Sequence, residues 1–501
     1  MGTNRSRTGL IDLVTHYPAG AREVTLSRRT FVTAAIGTAG LSLSSRLPAL
    51  PPNGVLTPEM FGAKGDGVTN DTDAFAAMAT AINRRGGGTV NLRRTTYIVG
   101  RQLKGVDLNG WAFPPADIMQ FKGLRLPLVI RGNGARLKCA AGLRYGLFDR
   151  ATGNVFRHPL PYTDIRQIAS PYVAMISVKQ SSAPFELTDL EMDGNLPNLQ
   201  IGGPYGDTGY QIPAIGLFLQ DNRASETVRN LHTHHHGQDG VEISGDEARR
   251  ERSRLVNVVS EYNGRQGLSI VGGRGYDFTG CKFNHTGRSK IGSAPGAGVD
   301  IEAEGGKTNR DFTFTDCEFS DNLGCGMVAD SGDSTGVSFT RCRFVGTTSW
   351  SAWPLKPRFV FRDCTFVGTV VHPFPHRDPA LATQFYDCRF TDDPALSPTG
   401  KVYLGGDKPG PIVNMAASDN VLFSRCSFVL THNGLLPWSW RATYADCRMQ
   451  QASPIAAYPK GKYLGTSSIA CNVDLYGTKV IGTLVVNGKA LSKGLHGGEP
   501  W

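Results

Sequence analysis

Four short segments of one pattern, G-V-E-I-S at Gly240, G-L-S-I-V at Gly267, G-V-D-I-E at Gly298 and G-M-V-A-D at Gly326, carry the residues best suited to acid–base chemistry. Laid over one another as successive strands, they put Glu242, Ser269, Asp300 and Val328 in one outward column. Ser244, Val271, Glu302 and Asp330 fall in the next. Strand spacing sets Glu242 and Asp300 about 9 to 10 Å apart, and Asp300 and Glu302 about 6 to 7 Å apart. Both separations lie near the ~6.5–9.5 Å at which one carboxyl protonates a leaving oxygen while another activates water. Crowding raises the pKa of one member, which supplies the acid. Asp239, in Q-D-G just before the first segment, and Glu304 extend the cluster. The competing reading is a row of acidic residues decorating a solvated sheet face.

The turns before these segments hold further candidates. His236 occupies the step taken elsewhere by Asn195, Asn263 and Asn322. A histidine there either acts as a general acid or base near neutral pH or continues the hydrogen bonds of an internal Asn ladder. With His234 and His235 it makes three consecutive histidines, which cannot all face one metal, and no metal site is expected. Arg265, Arg288 and Lys290 suit a sugar carboxylate. Tyr262, Trp350, Trp353, Trp438 and Trp440 suit stacking on sugar rings.

The elements that position these residues announce themselves as a repeat. F-T-G-C-K-F at Phe278 recurs as F-T-D-C-E-F at Phe314, F-T-R-C-R-F at Phe339, F-R-D-C-T-F at Phe361, F-Y-D-C-R-F at Phe385 and F-S-R-C-S-F at Phe423, with a weaker Y-A-D-C-R-M at Tyr444. Cysteines at 281, 317, 342, 364, 388, 426 and 447 recur at intervals suited to solenoid coils. In each copy Cys and the final Phe alternate with polar residues, so both are predicted to point inward and stack on their equivalents about 4.8 Å away. Leu190, Leu231 and Val258 continue the cysteine column upstream. A buried thiol behaves there as a small apolar side chain, and the absence of C-x-x-C argues against zinc. The architecture predicted is all-β: a single-stranded right-handed parallel β-helix.

Ahead of the coils stands E-M-F-G-A-K-G-D-G-V-T-N-D-T-D from Glu59, then an Ala-rich segment, G-G-G at Gly86 and the strand T-V-N-L. Asn70 or Asp71 is placed to cap a helix whose apolar residues Phe75, Met78 and Ile82 recur at helical spacing, and the glycines end it. Such a helix would cover the open first coil. This stretch resembles the N-terminus of the pectate lyase superfamily of parallel β-helix proteins, which includes glycoside hydrolases, lyases, alginate epimerases and phage tailspikes. The resemblance implies an enzyme acting on a polysaccharide. The N-T-D, paired D-D and G-H-G of the polygalacturonase-like hydrolases are missing, as is the epimerase motif.

S-R-R-T-F-V, Ser27 to Val32, followed by a mildly apolar run, resembles a twin-arginine export signal and implies the translocase as a partner. No stretch reaches the ~20 apolar residues of a membrane span. Of the formal charge of +10, residues 1–49 hold six Arg against Asp12 and Glu23. No basic run with interleaved aromatics points to nucleic acid. The organisation expected is a leader over 1–49, a cap and first coils over 50–100, the β-helix over 101–455 and a C-terminal cap over 456–501, in a periplasmic or secreted monomer or homotrimer. The leading functional expectation is a carboxylate-dependent glycoside hydrolase of a polysaccharide, without a cofactor. The alternatives are a uronate lyase or C5-epimerase, with Lys290, Arg265 or His236 as base and a cation such as calcium, and a non-catalytic glycan-binding solenoid.

Overall fold

The computed structural model describes residues 54–103, 112–156, 167–203, 212–406, 408–415 and 417–498. The leader expected over 1–49, with its Arg28–Arg29 pair, lies outside them. Among the described residues the chain forms one α-helix, Thr72–Arg85, and a long succession of short strands, nearly all paired in parallel. The fold is a right-handed parallel β-helix. No helix among the described residues is long and apolar enough to cross a membrane.

The repeated hexad departs from simple alternation. Its first aromatic, its Cys and its final Phe are all buried, although the first and fourth residues of a regular strand face opposite ways. The third residue reconciles them by adopting a left-handed backbone, at Asp316 (φ 56°), Arg341 (52°), Asp363 (52°), Asp387 (57°) and Arg425 (54°). Each hexad is therefore a corner with both flanks turned inward.

Stacking then follows coil by coil. Phe314, Phe339, Phe361 and Phe385 lie near-parallel at centroid spacings of 4.8, 4.9 and 5.0 Å. Phe319, Phe344 and Phe366 do the same at 4.8 and 4.9 Å. Each thiol points at a carbonyl one coil back, as Cys342 Sγ to Phe314 O (3.5 Å) and Cys364 Sγ to Phe339 O (3.5 Å). All ten cysteines are buried and free. The column behaves as apolar packing with weak S–H donors.

At the N-terminal end the helix packs on the first coils and buries Phe75, Met78 and Ile82. Gly86, at φ 81°, ends it by returning its N–H to Asn83 O and Ile82 O. Asn70 Oδ1 accepts from Thr72 N (3.1 Å), while Asp71 turns its carboxylate back to Lys64 N and Gly65 N. Asn83 also clips the helix to the Met119–Lys122 strand through Gln120 O and Lys122 N. Parallel pairing already joins Val55–Leu56 to Gly88–Asn91, and it continues past residue 455 to Thr483–Val486. Parallel pairing thus starts within the segment expected to hold the cap and first coils, and extends past residue 455. Two antiparallel pairings finish the solenoid, Lys489–Ala490 with Thr483–Val486 and Gly494–His496 with Thr478–Val480.

Candidate active site

The register places the acidic residues. Phe218 pairs with Glu242, Glu242 with Ser269, Ser269 with Asp300, Asp300 with Val328 and Val328 with Trp353. Val241, Leu268 and Val299 beside them face the core, so this column faces outward. Outward does not mean solvated: Glu242, Ser269 and Asp300 are 1, 2 and 6 % exposed. The decorated-face reading therefore fails for these residues. The neighbouring column differs from expectation. A bulge after Ile243 moves Ser244 opposite Gly272, not Val271, and Glu302 lies just past the Ala297–Ile301 strand.

Asp300 combines burial with three acidic neighbours. Burial pushes its pKa well above the usual carboxylate range, and Glu302, Asp330 and Glu304 push it the same way against the pull of Arg265. Gln266 Nε2 donates to its Oδ2 at 2.5 Å. Glu302 is half-buried and accepts from Ser331 Oγ, and Asp330 is exposed. A buried, protonated carboxyl beside more accessible ones is the arrangement in which one group gives a proton and another takes one.

Arg265 does not reach toward solvent. Its guanidinium is buried and paired in a fork with the fully buried Asp239, Nε to Oδ1 at 2.8 Å. Glu242 and Asp300 add to the negative field that holds its charge. Asp239 and Arg265 therefore neutralise each other under the acidic column and are removed from direct work on a ligand. Lys290 Nζ is tied to Leu199 O (2.8 Å), and Arg288 to Thr347, Thr348 and Asp321, so both fasten turns.

His236 lies inside the solenoid. Its Nδ1 meets Tyr172 Oη at 2.8 Å, its Nε2 meets Thr233 Oγ1 at 2.9 Å, and its N–H donates to Asn263 Oδ1. Asn322 likewise accepts from Thr286 N. His236 thus continues the Asn ladder, and burial, with His234 adding to it, depresses its pKa to about 3. It is a buried core residue held neutral. The physical reason is the corner at His235, whose left-handed backbone (φ 56°) sends the next side chain inward.

Sequence reasoning named Trp350 and Trp353 but missed the shoulder they pack on, and it missed a cleft. The acidic column is flanked by an apolar shoulder of Ala297, Cys325 and Val328, on which Trp350 and Trp353 pack edge-to-face at 5.1 Å. The indole Nε1 of Trp353 is a buried donor without an acceptor among the described residues. At the end of the Asp239–Ser244 strand lies an open cleft of about 470 Å³, lined by Gln180, Asp221, Arg223, Asp246, Glu247 and Lys307. Lys307 fixes its floor through Ser244 O and Asp221. A charged residue on a turn gives no sequence signal of its own, because turns are charged in most proteins. Farther along the same outward column, Trp438 and Trp440 are exposed, and Lys460 Nζ lies 4.7 Å from the Trp440 ring.

Comparison with known proteins bears on this outer face. Residues 176–368, which include the acidic column and its Trp shoulder, match the family model of the right handed beta helix region. A 48-residue stretch is 54 % identical to "Depolymerase 1, capsule KN3-specific" of Klebsiella phage KN3-1, covering 9 % of this chain and 6 % of that protein. Among solved structures, the A-module of the mannuronan C-5 epimerase AlgE6 of Azotobacter vinelandii aligns over 86 % of this chain and 98 % of its own, at 14 % identity and a TM-score of 0.45. The tailspike gp49 of Acinetobacter baumannii bacteriophage Fri1, a capsular polysaccharide depolymerase, aligns over 88 % and 65 %, at 13 % identity and a TM-score of 0.35.

Proposed function

We propose that this protein is an exported enzyme that cleaves glycosidic bonds of a polysaccharide, with Asp300 as proton donor and Glu302, supported by Asp330, as the base that activates water. The observation that carries the reading is the pairing of a buried carboxyl of raised pKa with a half-buried one two residues on, roughly 6 to 7 Å away by strand geometry. That separation suits inversion at the anomeric carbon. Asp300 gives its proton to the leaving oxygen as the C–O bond breaks. Water attacks the opposite face, and its proton passes to Glu302. Arg265, paired with Asp239, pulls against the acidic neighbours that raise the Asp300 pKa. Trp350 and Trp353 supply an apolar wall for a bound sugar. The phage depolymerase segment supports a polysaccharide substrate, and the twin-arginine segment supports action outside the cytoplasm.

Of the bases named for the uronate lyase reading, His236 is in the core, Arg265 is paired with Asp239, and Lys290 is exposed with its Nζ on Leu199 O. A panel of acidic and neutral glycans, assayed in parallel for new reducing ends and for unsaturated uronate, tests the proposal. New reducing ends without unsaturation are expected, abolished by Asp300→Asn. Unsaturated product would overturn hydrolysis, and binding without turnover would leave a glycan-binding solenoid.

A further inference from the structure

A second cluster of ionisable groups lies outside the acidic column, on the outward face of another sheet. The strand Glu226–His234 pairs with Phe185–Asp193 so that His232 lies opposite Glu191 and His234 opposite Asp193. Consecutive residues of a strand face opposite ways, and His235 would be expected to turn from His234. The corner cancels that alternation. His235 takes the left-handed backbone shared down the column by Tyr262, His285 and Asp321, and its ring swings back beside its neighbour. His234 Nδ1 and His235 Nδ1 stand 2.7 Å apart, and Asp193 Oδ1 lies 3.7 Å from His234 Nδ1. All three ligating atoms fall within 4.8 Å of one another.

The surroundings orient these atoms as a metal site requires. His234 Nε2 lies 3.1 Å from Glu191 Oε1, and donation there leaves the Nδ1 lone pair bare. Arg136 holds the other oxygen of Asp193, while Asn195 N donates to Oδ1 at 2.7 Å. The His235 ring is clamped by Tyr262, stacked at 5.1 Å and 11°, which is itself stacked on His285 at 4.8 Å. Around a tetrahedral ion with bonds of about 2.0–2.1 Å, ligand atoms stand about 3.3 Å apart. The observed 2.7 and 3.7 Å straddle that value, so shifts of about half an ångström complete the shell.

We propose that His234 Nδ1, His235 Nδ1 and Asp193 Oδ1 form a three-ligand site for a divalent first-row transition metal such as zinc, with a fourth position open to solvent. Two imidazoles and one carboxylate favour such an ion over magnesium or calcium, which prefer all-oxygen shells. His235 is only half-buried, which leaves the open position reachable. The proton shared by the two Nδ1 atoms moves to His235 Nε2 as the ion binds, so the step balances without a co-reactant. Arg136 beside Asp193 opposes a cation, and the two imidazole donors must outweigh it. The site does not depend on the hydrolytic proposal, because it shares no residue with the acidic column.

The test uses the full chain, purified without a histidine tag and stripped with chelator, titrated with Zn²⁺ by calorimetry and with Co²⁺ by visible absorption. One equivalent is expected, with the intense bands of four-coordinate Co²⁺. His235→Asn, which keeps the left-handed corner, and His234→Ala should each weaken Zn²⁺ binding at least about 100-fold, and Glu191→Gln about 10-fold. His232→Ala should bind Zn²⁺ far more tightly than His235→Asn, because the His232 ring is paired with Glu261 at 3.0 Å and only neighbours His234; an equal loss would move the ion to Glu191, His232 and His234 and overturn the proposal. Circular dichroism checks that each variant folds, and the half-buried His235 keeps the test valid should His234→Ala unfold. Failure of the parent chain to bind a stoichiometric ion, or equal binding by His235→Asn, would overturn the proposal.

Discussion

The coils from Phe185 to Glu304 and those from Phe312 to Cys447 follow one backbone course but fill it differently. Upstream, the inward columns mix Leu, Val, Thr and Ser with His236 and Asn263, and the outward face buries Asp239, Glu242 and Asp300. Downstream, the inward columns are stacked Phe and Cys. The third hexad residues there pair across coils on the surface, as Arg341 with Asp316 and Arg425 with Asp387. The difference teaches a division of labour. Burying ionisable groups costs stability, and a continuous aromatic stack stabilises the solenoid to which those coils are joined. Each coil contacts mainly its neighbours, so stabilising one stretch supports strain in the next.

Four substitutions break or sharpen this comparison. Asp300→Asn should lower turnover by about 10²–10⁴, the usual contribution of a positioned acid. Because folding raises the Asp300 pKa, the folded state holds its proton more tightly. Its contribution to stability is complete below about pH 4 and declines as pH rises toward the folded pKa. Asp300→Asn should therefore melt higher than the parent at pH 7. An active variant, or one that melts lower, breaks the picture of a functional buried carboxyl. Phe361→Ala should cost about 3–5 kcal/mol in denaturant unfolding while leaving the pH–rate profile of the folded fraction unchanged. A loss under about 1 kcal/mol would deny the stack its role.

His236→Asn addresses the upstream interior. The His236 pKa is about 3 when folded and ordinary when unfolded, so its contribution is intact above about pH 6.5 and declines as pH falls toward 3. Within that window each pH unit costs about 1.4 kcal/mol. Asparagine, the residue of the ladder at Asn263, does not titrate, so the variant should show a shallower acid limb in melts from pH 7 to 4. An unchanged limb would place the titration elsewhere. Arg341→Ala, on the downstream surface, should leave the denaturant-unfolding midpoint almost unchanged, because its pair with Asp316 is exposed to water. A clear drop would mean that the corner ladder, and not the aromatic stack, stabilises those coils.

Much of the fold was legible because a solenoid writes its geometry as a period. The cysteine spacing, the inward Cys and Phe, the register of Glu242 with Ser269 and Asp300 and the capping helix all follow from side chains repeated in phase. The corners were not legible. Residues as different as Asp316, Arg341 and His235 adopt the same left-handed backbone, and that conformation decides which way the next side chain points. That is why the first hexad Phe turns inward, why His236 enters the core and why His234 and His235 meet.

The sequence by itself therefore determined the architecture and the identity of the outward acidic column, since both depend on periodicity along the chain. Only the tertiary structure decided which carboxyls are buried, that Asp239 neutralises Arg265 and that two consecutive histidines converge with Asp193. Burial and charge pairing depend on what neighbouring coils and turns lay over a residue, and that information lies in no single repeat.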